Sequence, residues 1–205
     1  MSEEESNRRS YHSPLRRQQQ DITRNQIMKA VAEIINEGRI LSFTVKDVSD
    51  RAGVSYGTVY RHFPTRESLL ETLYEYASEK VGQEFSLKST SIEELTHVLR
   101  KTAEAFEENF TILQAYTMAL AANNIQPSSR RERDRKYLEM VAESAPFLAP
   151  EVAGQIAAII SHLHSSLTWV TLRQRFELSA EDTTDALTWA IRVLIQDLIQ
   201  QKGEA

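Results

Sequence analysis

Residues 44–70 read TVKDVSDRAGVSYGTVYRHFPTRESLL and decide how this chain folds. Thr44 with Asp47, and Ser55 further along, are side chains of the kind that begin helices, so they predict two short helices. Gly53 stands between these helices and can adopt the positive φ that a tight reversal of the chain requires. Two short helices that meet at such a corner form a helix-turn-helix.

The second of these helices has one apolar face and one polar face. Val59 and Phe63 lie one turn apart and are expected to pack inward. The rest of the helix surface offers hydrogen-bond donors and no carboxylate: Tyr56, Gly57, Thr58, Tyr60, Arg61 and His62. Such a surface suits the major groove of DNA, although the ordinary polar face of a structural helical hairpin is an alternative.

Helix starts in this stretch also suggest phosphate contacts. Thr44, Ser55 and Thr65 each precede a helix whose free N–H groups can bind an anion. Arg66 falls in the first turn after Thr65, where a cation is unfavourable for the helix dipole. A DNA phosphate opposite Arg66 would explain that placement.

Spaced apolar residues predict helices along the rest of the chain and no strand of any length. We expect helices near residues 21–37, 65–81 and 129–143, followed by long helices near 151–174 and 180–201. With only 6 Gly and 5 Pro, the chain lacks the frequent turn signals of a β-sandwich or β-barrel. The predicted class is therefore all-α.

Charge is distributed unevenly along the chain. Residues 6–66 carry 11 basic and 5 acidic side chains, whereas residues 67–205 carry 13 and 21. A basic first third suggests that this end meets a polyanion, although chance clustering is an alternative. Residues 1–20 have little apolar periodicity and include Arg8, Arg9, Arg16 and Arg17, so we predict a flexible basic arm there.

Several classes of protein are excluded or disfavoured. The absence of Cys excludes disulfide scaffolds and thiolate metal sites and fits a cytoplasmic protein. His162 and His164 are two residues apart on a predicted helix and point in different directions, so we predict no metal and no cofactor. No catalytic motif is present, and we predict that the chain is not an enzyme. A helical adaptor, or an enzyme with a non-functional hairpin of this kind, remains the alternative to a DNA-binding protein.

The motif resembles that of the TetR family of bacterial transcriptional regulators, T-x-x-D-[IV]-A-x-x-A-G-V-S-x-G-[ST]-[LV]-Y-x-[YH]-F. The matching residues are Thr44, Asp47, Val48, Ala52, Gly53, Val54, Ser55, Gly57, Thr58, Val59, Tyr60, His62 and Phe63. The chain departs from the pattern at Ser49, where Ala is usual, and at Arg66, where Lys is usual. The resemblance spans about residues 22–74.

This resemblance implies a three-helix DNA-binding domain over residues 21–66 and a helical effector-binding and dimerisation domain over residues 67–205. It implies a ligand-responsive regulator, most often a repressor, that binds a palindromic operator as a homodimer and is released by a small apolar or amphipathic effector. It also implies phosphate contacts from Thr44, Tyr60 and Arg66. Base or groove contacts would come from Lys46, Ser55, Tyr56, Gly57, Thr58, Arg61 and His62.

The last two predicted helices carry apolar stripes that would form a four-helix seam between two copies. The stripe residues are Ile156, Ile159, Leu163 and Leu167 on the first helix and Leu187, Ile191, Leu194 and Leu198 on the second. A large core within one chain is the alternative. The predicted effector cavity is lined by Phe106, Phe110, Tyr116, Met118, Tyr137, Phe147, His162 and Trp169, for each of which plain core packing is the alternative.

Overall fold

A computed structural model describes residues 14–82, 91–92, 94–123 and 128–204. Within these ranges the chain is helical and has no strand, which confirms the predicted all-α class. The helices are α1 (Pro14–Ile34), α2 (Val45–Ala52), α3 (Tyr56–His62), α4 (Arg66–Gly82), α5 (Leu95–Glu108), α6 (Phe110–Asn123), α7 (Ser128–Ser144), α8 (Pro150–Leu163), α9 (Ser166–Arg175) and α10 (Ala180–Glu204). None of these helices has the length and apolar content needed to cross a membrane.

Helix α1 begins earlier than the sequence predicts. Residues 14–20 belong to it, so the prediction of a flexible arm is wrong for that segment, while Arg8 and Arg9 lie outside the described residues. At its other end α1 continues into a π-helical turn, Ile35–Arg39. Gly38 has a φ of 82° in this turn, a conformation that interrupts the regular helix.

The helix-turn-helix forms as predicted. Thr44 caps α2 together with Asp47, whose backbone N–H donates to the Thr44 hydroxyl. Gly53 follows α2 with a φ of 66°, the left-handed conformation that the corner requires. Ser55 then accepts a hydrogen bond from the Thr58 N–H and begins α3.

Buried apolar side chains form two clusters that α6 and α4 connect. The first cluster contains α1–α3, most of α4, and Ile112, Ala115 and Ala119 of α6. The second contains α5 and α7–α10, and Leu113 of α6 packs into it. Leu69 and Leu73, on α4, pack in the first cluster although they follow the predicted domain boundary at residue 66. The boundary itself stays a prediction.

The predicted helix over residues 151–174 is wrong, because the structure has two helices there. α8 ends at Leu163, and the hydroxyl of Ser165 accepts a hydrogen bond from the Thr168 N–H and begins α9. A serine that caps a new helix competes with continuation of the old one, which explains the break. Another break, at Asn109, separates α5 from α6.

The predicted stripe on α10 faces the interior of its own chain. Leu187, Ile191 and Leu198 are buried in the second cluster, and Leu194 packs against it. The first three are therefore not available to a partner, and the alternative of a core within one chain is correct for them. Exposed apolar side chains of α10 lie elsewhere, at Trp189 and Val193.

Candidate DNA-binding surface and effector region

The start of α2 is fixed by a network around Asp47. Its carboxylate accepts from the Thr44 N–H at 2.8 Å and from the Thr44 hydroxyl at 2.7 Å. Arg39 pairs with the same carboxylate at 2.9 Å. The Arg39 guanidinium, followed by the Thr44 hydrogen bonds, holds the pKa of Asp47 well below its usual range. The carboxylate therefore stays charged and ties α2 to the loop after α1.

The outer surface of α3 carries aromatic and cationic groups. Tyr56 and Tyr60 are both about half exposed, and their rings stack with centroids 5.6 Å apart. Arg61 and His62 are exposed beside them. The buried side of α3 is held by Val59, which packs in the first cluster. This arrangement leaves a polar surface of one helix available to a partner.

Gly57 is not required by the packing of this chain. A Cβ placed there would meet no atom within 4 Å. Glycine within a helix costs about 1 kcal/mol relative to alanine, and no close contact among the described residues requires it here. A partner that approaches the backbone closely would account for the glycine, because any side chain would keep it away.

Several basic side chains of the helices that form the first cluster have acidic partners within the chain. The pairs are Arg24 with Glu79 at 2.7 Å, Arg39 with Asp47 at 2.9 Å, Lys46 with Asp50 at 2.7 Å, and Arg51 with Glu37 at 2.8 Å. Arg61, in contrast, has no ion pair within the described residues. The Lys46 pair is largely exposed and therefore weak, so Lys46 can exchange Asp50 for another anion.

Arg66 is also held by the chain itself. Its guanidinium donates to the carbonyl oxygen of Ile40 at 2.8 Å and lies over the ring of Phe43. The placement of a cation in this first helical turn therefore needs no phosphate to explain it. A phosphate contact from Arg66 stays a prediction that rests on the motif.

Comparisons with known proteins match both the motif and most of the chain. Residues 27–73 match the family model for bacterial regulatory proteins, tetR family. The chain is 28% identical over 189 residues to the HTH-type transcriptional repressor KstR of Mycobacterium tuberculosis. The alignment covers 85% of this chain and 81% of KstR. These matches support assignment of this chain to the TetR family. The chain is therefore a transcriptional regulator and not an enzyme.

Other relatives and solved structures agree with this assignment. The TetR-family chain is 25% identical over 189 residues to the HTH-type transcriptional regulator BetI of Serratia proteamaculans, with 84% of this chain and 94% of BetI covered. A structure solved to explain the control of antibiotic production by bacterial hormones superposes with a TM-score of 0.60 at 20% identity. That match covers 84% of this chain and 96% of the other, and it shows a shared fold.

The structure distributes the eight predicted effector-binding residues over both clusters and the surface, and their role in binding an effector stays a prediction. Phe106, Tyr137 and Trp169 are buried in the second cluster, and Phe110 packs against it. Tyr116 and Met118 pack instead against the first cluster, while Phe147 and His162 are exposed. The break at Asn109 turns α6 toward the first cluster, and sequence spacing did not predict that turn.

A buried polar pair lies at the α8–α9 break. His164 is 3% exposed, and its Nδ1 is hydrogen-bonded to the hydroxyl of Tyr137. Burial lowers the pKa of His164 to about 3, so the imidazole is neutral at physiological pH. Burial also raises the pKa of Tyr137 far above its usual range. No group of three metal-binding side chains occurs in the described part of the chain.

Proposed function

We propose that this chain is a ligand-responsive repressor that binds a palindromic operator as a homodimer in the cytoplasm. The observation that carries the proposal is the outer surface of α3. Arg61 projects there without an acidic partner in the described residues, beside the stacked rings of Tyr56 and Tyr60. Arginine is the side chain best suited to read guanine in the major groove.

We assign different parts of DNA to different side chains of this surface. Arg61 and His62 would reach base edges, while Gly57 would let the backbone of α3 approach closely. Tyr60 and the α2 start at Thr44 would contact phosphates. The hydroxyl of Thr44 already donates to Asp47, so its contact would come through the free N–H groups of the first turn.

The homodimer would form through exposed apolar side chains of α8 and α10. On α8, Val152 is 40% and Ile159 is 50% exposed, and the two residues lie on one side of the helix. On α10, Trp189 and Val193 are exposed one turn apart. Contiguous apolar side chains of this size usually mark a protein interface, and a twofold dimer would bury both sets.

Release by an effector would pass through α4 and α6. α4 begins beside the helix-turn-helix at Arg66, and α6 packs on α1, where the Asn36 side chain donates to the Thr111 carbonyl at 3.0 Å. A ligand that favours one orientation of α6 would thereby change the position of α3. Linkage then requires ligand and operator to weaken each other equally, with a coupling of about 1–3 kcal/mol.

Binding to DNA from upstream of the gene that encodes this chain tests the proposal. Gel shift and footprinting should show a protected near-palindrome whose half-sites lie about one helical turn, ~34 Å, or somewhat more apart. A single asymmetric half-site would contradict the dimeric arrangement. A helical adaptor with no DNA role would give no sequence-dependent shift at all.

A further inference from the structure

A recess between α7 and α8 has the size of a small-molecule site. Its volume is about 470 Å³, within the usual range for ligand pockets. α7 contributes Arg130, Arg133 and Leu138, and α8 contributes Ala157, Ala158 and Ser161. Arg135 and the acidic Asp134 also line the recess, so one part of the lining is charged with an excess of cations and the other part is aliphatic or hydroxylic. This lining suits an amphipathic molecule with a negative group.

The arginines around this recess differ in how they are partnered. Arg135 is bonded to Glu132 at 2.8 Å and also to Glu139, so acids on its own helix balance its charge. Arg130 has no ion pair in the described part of the chain. Arg133 has only Asp134, at 3.6 Å, and that carboxylate also accepts from the Ser161 hydroxyl at 2.6 Å. Positive charge is thus left over at Arg130 and Arg133.

Arg133 is the more enclosed of the two. Its side chain is 23% exposed, and its Nε atom is buried without a hydrogen-bond acceptor in the residues that the structure describes. A buried donor that lacks an acceptor is destabilising, so its retention calls for an explanation. If the Arg133 side chain turned this nitrogen toward the recess, an anion bound there would supply the missing acceptor and charge.

The charge of Arg133 acts on side chains of α6 and α7 and on His164, which follows α8. It lowers the pKa of His164, on which burial has the larger effect, and it opposes the rise that burial causes in the pKa of Tyr116 and Tyr137. Tyr116 belongs to α6, which packs on the first cluster. An anion bound here would therefore change the electrostatic environment of Tyr116, on a helix that packs against the first cluster.

We propose that this recess binds the acidic head group of an amphipathic effector, with Arg130 and Arg133 pairing its carboxylate or other oxyanion. The inference rests on the proposed function as a ligand-responsive regulator and names the chemical class of the ligand. Leu138, Ala157 and Ala158 would contact the apolar part. A planar guanidinium such as Arg133 can hold a carboxylate through two parallel hydrogen bonds.

Calorimetric titration of the purified full chain with matched probes tests this inference. Decanoate and decyl phosphate carry the negative group, and decanol has the same chain without it. We expect decanoate or decyl phosphate to bind more tightly than decanol. Arg133→Gln and Arg130→Gln should each weaken binding of the anion about 10- to 100-fold and leave binding of decanol unchanged.

Arg131→Gln is the matched control, because Arg131 is an exposed neighbour on the same helix and the change in net charge is identical. It should leave the affinity for every probe unchanged. Thermal melting of the unliganded variants provides a second measurement. An anion-binding role predicts that Arg133→Gln melts no lower than wild type. A lower melting temperature with unchanged affinity for the anion would assign Arg133 a structural role and overturn the inference.

Other outcomes are equally decisive. Equal affinity for decanoate, decyl phosphate and decanol, or no binding of either anion to wild type, would overturn the anion site. The same probes added to an operator complex distinguish this inference from the proposed function. Binding that depends on Arg133 without release of DNA would leave the site standing and contradict the ligand-responsive mechanism. Release of DNA by decanol, unaffected by Arg133→Gln, would support the ligand-responsive mechanism and contradict the anion site.

Discussion

The two ends of this molecule place polar and apolar side chains in opposite ways. Around the helix-turn-helix, polar groups lie at the surface and bond to one another, as in the pairs Thr44 with Asp47 and Arg51 with Glu37. Around α8–α10, Thr183 and Thr188 are buried, whereas Trp189 is 67% exposed. The first surface is mostly polar, with Ile22 and Leu41 as its exposed aliphatic side chains and Arg61 without an ion pair in the described residues.

The difference indicates what each end is missing. The α3 surface carries Arg61, which has no ion pair within the described residues, and Gly57, which has no side chain. A polar, anionic partner would complement this surface. A surface with a large exposed indole and aliphatic side chains lacks an apolar partner, and a second copy supplies a matching one. The comparison therefore predicts that changes at the two ends will have separable effects on DNA reading and on assembly.

The largest expected effect is loss of assembly. Trp189→Asp would place a charge within the proposed interface, and light scattering should report a folded monomer. Operator affinity should fall about a thousand-fold or more, toward the level of non-specific binding, because one half-site would have to bind alone. A folded dimer with unchanged operator binding would contradict the assignment of this face.

Leu187→Asp is the matched variant on the buried side of the same helix. Leu187 belongs to the second cluster, so the charge would be buried in the chain's own core. We expect unfolding of the second cluster rather than a folded monomer, because an unpaired buried charge is strongly destabilising. Circular dichroism on the two variants separates the two faces of α10.

Reading of DNA should depend on the unpaired cation. Arg61→Ala should weaken operator binding by about 1–3 kcal/mol, or roughly 5–150-fold, and relax the base preference at one position in each half-site. Arg51→Ala removes the same charge from a side chain that is paired with Glu37, and its base preference should be unchanged. Binding to a randomised operator library measures both. Identical base preferences in wild type and Arg61→Ala would rule out base reading by Arg61.

Sequence reasoning worked well where a single residue determines local structure. Gly53 has the positive φ that the sequence predicts for the corner, and Ser55 begins α3 as expected. Such features depend on the conformation of a few neighbouring residues, which a sequence records directly. The family motif rests on the same kind of residue.

The sequence alone could not predict which face of α10 is buried or which charged side chains pair with one another. Leu187 and Trp189 are both apolar, and only the three-dimensional position of α10 determines which is buried. The basic composition of the first third of the chain likewise suggested more unpaired basic side chains than the structure has. Arg24 pairs with Glu79, which is 55 positions away, and no local pattern could reveal such a partner.

The buried imidazole of the second end should make stability depend on pH. The pKa of His164 is about 3 in the folded chain and about 6.5 when unfolded, so between these values only the unfolded chain binds the proton. The free energy of unfolding should therefore fall as pH is lowered, by about 2 kcal/mol between pH 7 and pH 5. Urea unfolding at the two pH values measures it. His164→Gln should remove most of the dependence, whereas His62→Gln, on the exposed surface of α3, should not.

The smallest expected effect concerns the hydrogen-bonded cap that Thr44 and Asp47 form at the start of α2. Thr44→Ala removes the hydroxyl that accepts from the Asp47 N–H and donates to the Asp47 carboxylate. We expect the free energy of unfolding to fall by about 1 kcal/mol, the usual value of such a cap. Thr44→Ser keeps the hydroxyl and should behave as wild type. Because Asp47 also pairs with Arg39, the carboxylate stays in place, and α2 should remain helical. A loss much larger than this, with unfolding of α2 seen by amide exchange, would mean that the cap alone holds the helix-turn-helix in position.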